Sequence, residues 1–305
     1  GLPEAIRAEL AKHDTHGLSI EIVEAREIID MGESPAIALR KKRDASIAVT
    51  ARRVGKGHAQ GMVAAGSTGA AMAAALFNIG RIKGIDRPAI AIALPSPQTP
   101  CMLIDGGANA DCEPEHLTQF AWMGHVFMRA VYGIERPRVG LLNIGSEEGK
   151  GNAFANRAFP LLKAMPAIRF VGNVEGRDLF LGGCDVAVSD GFTGNVALKA
   201  AEGVATLLGR FIKQELTASP LTKLSAFLAA PAFRRAKAKV DHEELGGALL
   251  LGVKGICVIA HGGSSGKAIE NAIRVAKQAI DGRVMDTIGS AVPPMANAET
   301  PEEVL

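Results

Sequence analysis

Five short loops rich in glycine, serine and asparagine are the segments of this sequence best suited to chemistry. Each follows a short apolar segment and precedes a helical pattern. The loops are Ala65–Gly69, Asp105–Asn109, Asn143–Glu147, Asp190–Asn195 and His261–Gly266. Backbone N–H groups at a helix N-terminus bind anions, hydroxyls add donors, and glycine lets a phosphate approach the backbone. The loops therefore indicate a phosphate-binding crevice, although the same residue types also serve as ordinary turn and cap residues.

The loops contain amides, hydroxyls and backbone donors, but no nucleophile beside a base. This favours a reaction whose nucleophile is a substrate, such as inorganic phosphate, with catalysis by positioning and oxyanion stabilisation. Lys150 and Lys199 are candidate positive charges, and His261 is a candidate donor or acid–base group. Taken singly, each also has an ordinary explanation as a solvated lysine or as a cap or core histidine.

Three standard motifs come close to matching and then fail. Gly145–Gly151 and Gly262–Ala268 resemble P-loops, but they are one residue short between the glycines, and neither has Ser or Thr after the lysine. Gly55–Gly61 resembles a dinucleotide fingerprint, but its last glycine is one position late and precedes a predicted strand. A P-loop ATPase and a Rossmann dehydrogenase are therefore disfavoured.

The segment Gly262–Gly266 matches the nucleophile elbow of serine hydrolases, with Ser264 at the nucleophile position. That arrangement needs a histidine after the serine in the chain, and no histidine follows Ser264. We therefore interpret Ser264 and Ser265 as phosphate or cap ligands.

Composition excludes several other classes of protein. The chain has 305 residues, of which 48% are hydrophobic and 22% charged, so it can bury a sizeable core and is not disordered. A net charge of +2 and an aromatic content of 4% give no reason to expect nucleic-acid binding. The four cysteines lack Cys-x-x-Cys spacing and the histidines are dispersed, so we expect reduced thiols in a cytosolic protein and no metal site.

Apolar segments rich in Val, Ile and Leu alternate with helical patterns, which predicts an α/β fold with a mainly parallel sheet and helices on both sides. The predicted strands are Ser19–Val23, Gly61–Ala65, Ala89–Leu94, Met102–Ile104, Arg138–Asn143, Ile168–Val171, Asp185–Ser189 and Gly255–Ala260. The predicted helices are Pro35–Lys41, Thr68–Phe77, Glu115–Val131, Ala153–Leu162, Asn195–Leu216 and Lys267–Ile280. Because ligands bind beyond the carboxyl ends of parallel strands, we expect all five loops along one edge of the sheet.

The segment Thr217–Val240 differs from the rest because it contains no Asp or Glu. Leu221, Leu224, Phe227 and Leu228 recur at helical spacing among lysines and arginines. One interpretation is a helical hairpin that packs on itself or on a second subunit. The other is a basic amphipathic surface that contacts anionic lipid. The segment alone favours the first interpretation.

Seven motifs together resemble those of a known family. They are Ala64–Ala70, Ile104–Asn109, Leu141–Gly145, Glu147–Asn152, Gly172–Gly176, Asp190–Val196 and Gly246–Gly252. In this order, over most of the chain, they are similar to the bacterial phosphate acyltransferases of phospholipid synthesis, the PlsX family. Each motif alone is weak, but the set is specific.

The resemblance implies that acyl-[acyl-carrier-protein] and inorganic phosphate react to give acyl phosphate and free carrier protein. The product would feed a membrane glycerol-3-phosphate acyltransferase. The resemblance also implies a single α/β/α sandwich domain over residues 1–305, similar to the isocitrate/isopropylmalate dehydrogenases, and a cytoplasmic homodimer without an organic cofactor. Residues 212–245 would be a protruding helical pair that packs in the dimer, and contact with the inner face of the membrane becomes an interpretation of equal weight.

The resemblance and the loops together suggest a site. The predicted phosphate ligands are Gly66, Ser67, Thr68, Gly69, Gly191, Thr193, Gly194, Ser264 and Ser265. The amides predicted to orient phosphate and thioester are Asn109, Asn143 and Asn195. Lys199 or Lys150 would offset developing negative charge, and His261 would assist the thiolate leaving group. The acyl chain is expected in an apolar groove towards the basic hairpin.

The sequence departs from the family pattern in three places. The family opens with a strand and an Asp-Ala-Met-Gly-Gly-Asp-like loop, and this chain is expected to begin after them. Ser67 stands where Asn is usual, and Ser146 stands where Glu is usual. Three alternatives stay open: a phosphotransacetylase-like enzyme that uses a coenzyme A thioester, a dehydrogenase on the related fold, and a catalytically degenerate module that binds phosphate or carrier protein.

Overall fold

The computed structural model describes residues 1–240 and 246–292, and for 237–240 the backbone only. Helices and strands alternate along most of this chain. The helices are α1 (Pro3–Leu10), α2 (Pro35–Lys41), α3 (Ser46–Gly55), α4 (Thr68–Asn78), α5 (His116–Tyr132), α6 (Ala153–Lys163), α7 (Asp178–Leu181), α8 (Gly191–Leu216), α9 (Pro220–Val240), α10 (Gly266–Asp281) and α11 (Val284–Ser290). The strands are β1 (Gly61–Ala65), β2 (Ala89–Leu94), β3 (Cys101–Ile104), β4 (Arg138–Leu142), β5 (Arg169–Val174), β6 (Val186–Val188), β7 (Ala248–Leu251) and β8 (Ile256–Ala260). The end of the predicted helical pair, 241–245, lies outside the described residues.

Four helices begin where a capping side chain precedes them. Ser67, Asn152, Asp190 and Ser265 accept a hydrogen bond from the backbone N–H three residues later, and so cap α4, α6, α8 and α10. Each cap satisfies one of the N–H groups that the first turn of a helix leaves without an intrahelical partner. This local chemistry explains why most predicted helix starts are within one residue of the observed ones.

The described strands form one sheet in the order β1-β8-β7-β2-β3-β6-β4-β5. Neighbours pair in parallel at β1–β8, β3–β6, β6–β4 and β4–β5, and in antiparallel fashion at β8–β7, β7–β2 and β2–β3. The predicted α/β fold with a mainly parallel sheet is confirmed. The two antiparallel strands at its centre divide it into two parallel groups that run in opposite directions.

The prediction that all five loops meet at one edge of the sheet is wrong. The loops after β3, β4 and β6 lie at one edge, which we call the asparagine edge because Asn109, Asn143 and Asn195 follow these strands. The loops after β1 and β8 lie at the opposite edge, which we call the histidine edge after His261. The composition of a strand reports its burial and not its direction, and the antiparallel strand β7 was not predicted.

Helices cover both faces of the sheet. Alternate residues of a strand point to opposite faces, and in β7 Leu249 and Leu251 join one apolar cluster while Leu250 joins another. The first cluster contains α5, α10 and α11, and the second contains α3 and α4. A third, smaller cluster lies where Leu179 of α7 meets β3 and β6. The core is therefore divided by the sheet, as expected for parallel strands buried on both sides.

The predicted strand Ser19–Val23 is absent, because this segment pairs with no strand of the described chain and Leu18 and Ile20 are largely exposed. The helices α8 and α9 are joined by only three residues, and α9 continues through Pro231. Most of their large apolar side chains are exposed: Val204, Leu207, Leu208, Phe211, Leu221, Leu224, Phe227 and Leu228. A single copy of the chain thus leaves the apolar surface of this helical pair uncovered.

Candidate active site

A buried carboxylate organises the asparagine edge. Asp105 follows β3, and its Oδ1 accepts hydrogen bonds from the N–H groups of Ile90, Gly107 and Ala108 at 2.9, 3.1 and 2.9 Å. Its Oδ2 accepts from the backbone N–H of Asn109 at 2.7 Å and from the Asn109 side-chain Nδ2 at 2.8 Å. Sequence reasoning did not identify Asp105 as a functional residue, although an aspartate that bonds to the backbone after it is a known turn signal.

Asn109 uses its side-chain amide to hold this loop. Its Nδ2 donates to Asp105 and also to the carbonyl oxygen of Pro88 at 2.9 Å. Its backbone carbonyl accepts from the Gly191 N–H at 2.8 Å, which ties the loop to the start of α8. Both hydrogens of the Asn109 side-chain amide are therefore bonded within the protein. In this structure they are not available to orient a substrate, which is the role that the sequence predicts for them.

Most of the N–H groups at the start of α8 are likewise satisfied within the chain. Asp190 accepts from the Thr193 backbone N–H at 2.8 Å and from the Thr193 hydroxyl at 2.7 Å, and its own carbonyl accepts from the Gly194 N–H at 3.0 Å. A carboxylate thus occupies the place at this helix N-terminus where an anion would bind. The donors predicted for phosphate at Gly191, Thr193 and Gly194 serve the fold instead.

The two glycines at the start of α8 are required by close packing. A Cβ at Gly194 would overlap the carbonyl oxygen of Asp105 and lie 2.9 Å from the Ser189 Oγ. A Cβ at Gly191 would lie 2.6 Å from the carbonyl oxygen of Asn109. These positions are therefore glycine because the Asp105–Asn109 loop packs against them, and not because a ligand does.

Asn143 braces the loop that carries Lys150. Its Nδ2 donates to the Lys150 carbonyl at 2.9 Å, and its Oδ1 accepts from the Ile144 N–H at 2.9 Å. Asn195 is exposed beside Gly107, at the point where α8 meets the Asp105 loop. The three predicted asparagines therefore share an edge, but two of them use their side chains to fix loops.

The two predicted lysines differ in their partners. Lys199 is exposed on α8, and its Nζ pairs with Glu202 at 2.8 Å. Lys150 is exposed and forms no ion pair with the described residues. Lys150 therefore has the less screened charge of the two.

The histidine edge brings together the loops after β1 and β8. A Cβ built on Gly262 would lie 3.9 Å from the Cα of Gly66, so the two loops are neighbours. A Cβ built on Gly66 would have no atom within 4 Å apart from those of the residues next to Gly66 in the chain. Ser67 caps α4 through the Ala70 N–H at 3.3 Å. The N–H groups of Thr68 and Gly69 form no hydrogen bond within the described residues, so this helix start keeps free donors.

His261 faces this edge with a defined tautomer. Its Nδ1 accepts from the Gly263 N–H at 3.1 Å, so in the neutral ring Nε2 carries the hydrogen. Its carbonyl accepts from the Ser264 N–H at 3.0 Å, and Ser265 caps α10. The imidazole is exposed and has an N–H to donate. The structure thus joins Gly66–Gly69, His261 and the two serines at one edge, whereas the three asparagines and Lys150 lie at the opposite edge.

A cavity of about 450 Å³ lies under α4, next to the asparagine edge. The helix α4 begins at the Gly66–Gly69 loop and contributes Met72 and Leu76 to the cavity wall, one and two turns later. Ala108 and Asn109 of the asparagine edge also line the cavity. The acyl groove that is predicted towards the basic hairpin is distinct from this cavity, because no described residue of α8 or α9 lines the cavity. Its remaining lining residues are Arg81, Asp86, Arg87, Pro88 and Leu250, which sequence reasoning did not select.

Cys112 and Cys257 are not suited to nucleophilic catalysis. Burial raises the pKa of Cys257 to about 12. The pKa of Cys112 is also raised to about 12, mainly by burial and to a smaller extent by the negative charges of Asp190 and Asp105. Such thiols are protonated at neutral pH. In the part of the chain that the structure describes, no three His, Cys, Asp or Glu side chains are grouped to hold a metal. Among the same residues, none of the helices combines the length and the apolar composition that crossing a bilayer requires.

The fold places this chain in a class of α/β proteins that includes solved phosphotransacetylases. The structure is similar to the phosphotransacetylase from Streptococcus pyogenes, with a TM-score of 0.58 and 19% identity over 92% of this chain and 85% of that one. It is also similar to the EutD phosphotransacetylase from Staphylococcus aureus, with a TM-score of 0.55 and 14% identity over 91% of this chain and 84% of that one.

Sequence comparison then gives the family. The sequence model described as fatty acid synthesis protein matches residues 1–287. The phosphate acyltransferase of Pelotomaculum thermopropionicum is 51% identical over 96% of this chain and 85% of its own length. Those of Heliobacterium modesticaldum and Synechocystis are 50% and 46% identical over 96% and 99% of this chain, and over 88% and 87% of their own lengths. The chain belongs to the phosphate acyltransferase family and is an acyltransferase, which confirms the resemblance seen in its motifs.

Proposed function

We propose that this enzyme transfers a fatty acyl group from acyl-[acyl-carrier-protein] to inorganic phosphate, and that the acyl phosphate serves phospholipid synthesis. The observation that carries the proposal is the start of α4, where the N–H groups of Thr68 and Gly69 are free beside His261 in a chain of this family. A helix start with free donors suits phosphate. No cofactor is needed, since one phosphate oxygen is the nucleophile.

The reaction forms one carbon–oxygen bond and breaks one carbon–sulfur bond. A phosphate oxygen held by the free donors of α4 and the hydroxyls of Ser67 and Thr68 attacks the thioester carbonyl carbon. The thiolate of the carrier arm departs and takes up a proton from solvent, and the Nε2–H of His261 is proposed to stabilise the departing sulfur by donating a hydrogen bond to it. Lys150 follows β4 at the opposite edge of the sheet and Lys199 is paired with Glu202, so neither predicted lysine is assigned the role of offsetting negative charge.

Replacement of His261 by Asn is expected to lower kcat by about 100-fold, because removing one preorganised donor to developing negative charge typically costs about that much or more. The KM for phosphate should change little, since the donors of α4 remain. The measurement is phosphate-dependent release of carrier-protein thiol together with the acyl phosphate formed. His58→Asn is the matched control, because His58 is exposed in the loop that precedes β1. An unchanged kcat in His261→Asn would remove this residue from the scheme.

A coenzyme A thioester is the second candidate donor, and the solved structures with this fold that are named phosphotransacetylases favour it. The same assay, run in parallel with acyl-coenzyme A, separates the two. A higher kcat/KM with acyl-carrier protein supports the first proposal, and the reverse order supports the second.

We also propose that α8 and α9 pair with a second copy of the chain, and that the tip of α9 contacts anionic lipid at the inner face of the membrane. Support comes from the exposed apolar side chains of both helices and from the basic residues Lys223, Arg234 and Arg235. At the membrane, the product would meet a glycerol-3-phosphate acyltransferase.

Leu224→Glu is expected to weaken binding to anionic liposomes by about 10-fold or more, because a buried leucine contributes roughly 1.5–3 kcal/mol. Co-sedimentation with vesicles that contain phosphatidylglycerol measures this. Ser225→Glu adds the same charge at the next exposed position without removing an apolar group. An equal loss of liposome binding in both variants would mean that the added negative charge alone weakens binding, and not the loss of the leucine side chain. No loss of binding in either variant would exclude lipid contact by this helix.

A further inference from the structure

The cavity under α4 is lined by five apolar residues, three charged residues and Asn109. Met72 and Leu76 come from α4, Leu250 from β7, and Pro88 and Ala108 from the segments that flank β2 and β3. Its volume of about 450 Å³ lies within the range of cavities that take small molecules. The charged lining residues decide what kind of molecule it suits.

Two of the three charged lining residues neutralise each other. The Arg81 guanidinium donates to the carbonyl oxygen of Asp86 and lies 3.6 Å from the Asp86 carboxylate. The other carboxylate oxygen of Asp86 is 2.7 Å from Nε2 of His116. The His116 Nδ1 accepts from the Glu113 N–H, so Nε2 donates to Asp86.

Arg87 is left as the uncompensated charge of the cavity. Its guanidinium forms no ion pair or hydrogen bond within the described residues, although the side chain lines the cavity. An arginine beside an apolar wall suits a ligand with a phosphate group attached to a less polar chain.

The backbone that carries Arg87 is fixed on both sides. The Asp86 N–H donates to the Gln119 Oε1 at 2.8 Å, and the Pro88 carbonyl accepts from Asn109 Nδ2 at 2.9 Å. Gln119 is fully buried and also donates to the carbonyl of Gly84 at 2.9 Å. The backbone of this arginine is therefore set before a ligand arrives, which lowers the entropic cost of ordering the loop. The side chain itself is exposed and can turn towards a ligand.

We propose that the cavity receives the phosphopantetheine arm of the acyl donor and that Arg87 binds the phosphate of that arm. From Thr68 to Leu76, α4 extends about 12 Å at 1.5 Å per residue. An extended arm of thirteen bonds between phosphorus and sulfur spans about 15 Å at the spacing of an extended polypeptide. An arm held at Arg87 can therefore run along α4 and bring its thioester to the free donors of Thr68 and Gly69.

The proposal rests on the proposed function, but binding tests it apart from catalysis. Holo-carrier protein, which has the arm, and apo-carrier protein, which lacks it, are titrated calorimetrically into the wild type and Arg87→Ala. We expect the holo form to bind the wild type more tightly, and Arg87→Ala to weaken holo binding by about 10-fold or more, since a hydrogen bond to a charged group contributes roughly 1.5–3 kcal/mol. Apo binding should be unchanged. Equal affinity of the two forms for the wild type, or an equal loss with both, would overturn the proposal.

A donor series locates the contact on the arm. Acyl-carrier protein and acyl-coenzyme A contain the phosphate, whereas acyl-pantetheine does not. Arg87→Ala should lower kcat/KM by about 10-fold or more for the first two donors and leave acyl-pantetheine unaffected. Lys83→Ala, an exposed change in the same loop, is the control. An equal loss with all three donors would overturn the assignment of the phosphate to Arg87. A wild type that makes no acyl phosphate but binds holo-carrier protein through Arg87 would refute the proposed reaction alone.

Discussion

Asp105→Ala is expected to lower the free energy of unfolding by roughly 4 kcal/mol and to abolish acyl transfer. The side chain accepts five hydrogen bonds, from the N–H groups of Ile90, Gly107, Ala108 and Asn109 and from the Asn109 side chain. Each buried donor left without an acceptor costs about 1–3 kcal/mol, and relaxation of the loop recovers part of the total. Activity should be lost because the same bonds fix Asn109 in the cavity wall.

Urea denaturation and the thiol-release assay together measure this effect. Asp111→Ala is the control, because Asp111 is exposed in the same loop and its removal should change stability by no more than about 0.5 kcal/mol. Asp105→Asn keeps the shape but replaces one acceptor oxygen by a donor, so it should be intermediate. A loss below about 1 kcal/mol in Asp105→Ala would contradict the central role given to this carboxylate.

Gly194→Ala is expected to destabilise the protein by about 3 kcal/mol, even though alanine is the better helix former. The new Cβ would overlap the carbonyl oxygen of Asp105 and approach the Ser189 Oγ to 2.9 Å. A backbone carbonyl cannot rotate away as a side chain does, so α8 must shift from the Asp105 loop. Acyl transfer should fall with stability, because this shift breaks the bond from Gly191 to Asn109.

Gly203→Ala provides the matched comparison in the same helix. A Cβ at Gly203 meets nothing within 4 Å in this chain. The substitution should therefore raise helix stability by about 0.5–1 kcal/mol, the usual difference between alanine and glycine. Thermal and urea unfolding of the two variants should move in opposite directions. If both were more stable than the wild type, the start of α8 would not be packed as described.

Local structure was predictable wherever the deciding interactions lie within a few residues. The helix Pro35–Lys41 has the predicted bounds, and α6 differs from its prediction by one residue. The caps Ser67 and Asn152 act on N–H groups three residues away, so residue type alone marks these helix starts. The strand Ser19–Val23 failed for the opposite reason, since a strand needs a neighbour that local composition does not report.

The site was less predictable, because glycine and asparagine serve binding and packing equally well. Gly66 faces open space, whereas Gly194 touches a backbone carbonyl, and both are glycines at the start of a helix. Asp105 and Arg87 were not selected by sequence reasoning. Asp105 is important because it accepts hydrogen bonds from N–H groups on two segments that are distant in the chain. Arg87 is important because Arg81 and Asp86 neutralise each other beside it and leave its charge uncompensated.

The sequence by itself determined the α/β class, the loops in which chemistry could occur, and membership of the phosphate acyltransferase family. Those properties depend on hydrophobic patterning, on caps and on motifs that are contiguous in the chain. Only the tertiary structure decided that the loops lie at two opposite edges, that the N–H groups of Gly191, Thr193 and Gly194 are already bonded, and that a cavity lies under α4 next to the asparagine edge. The direction of a strand in a sheet, and the partner of a buried donor, are set by residues far apart in the chain.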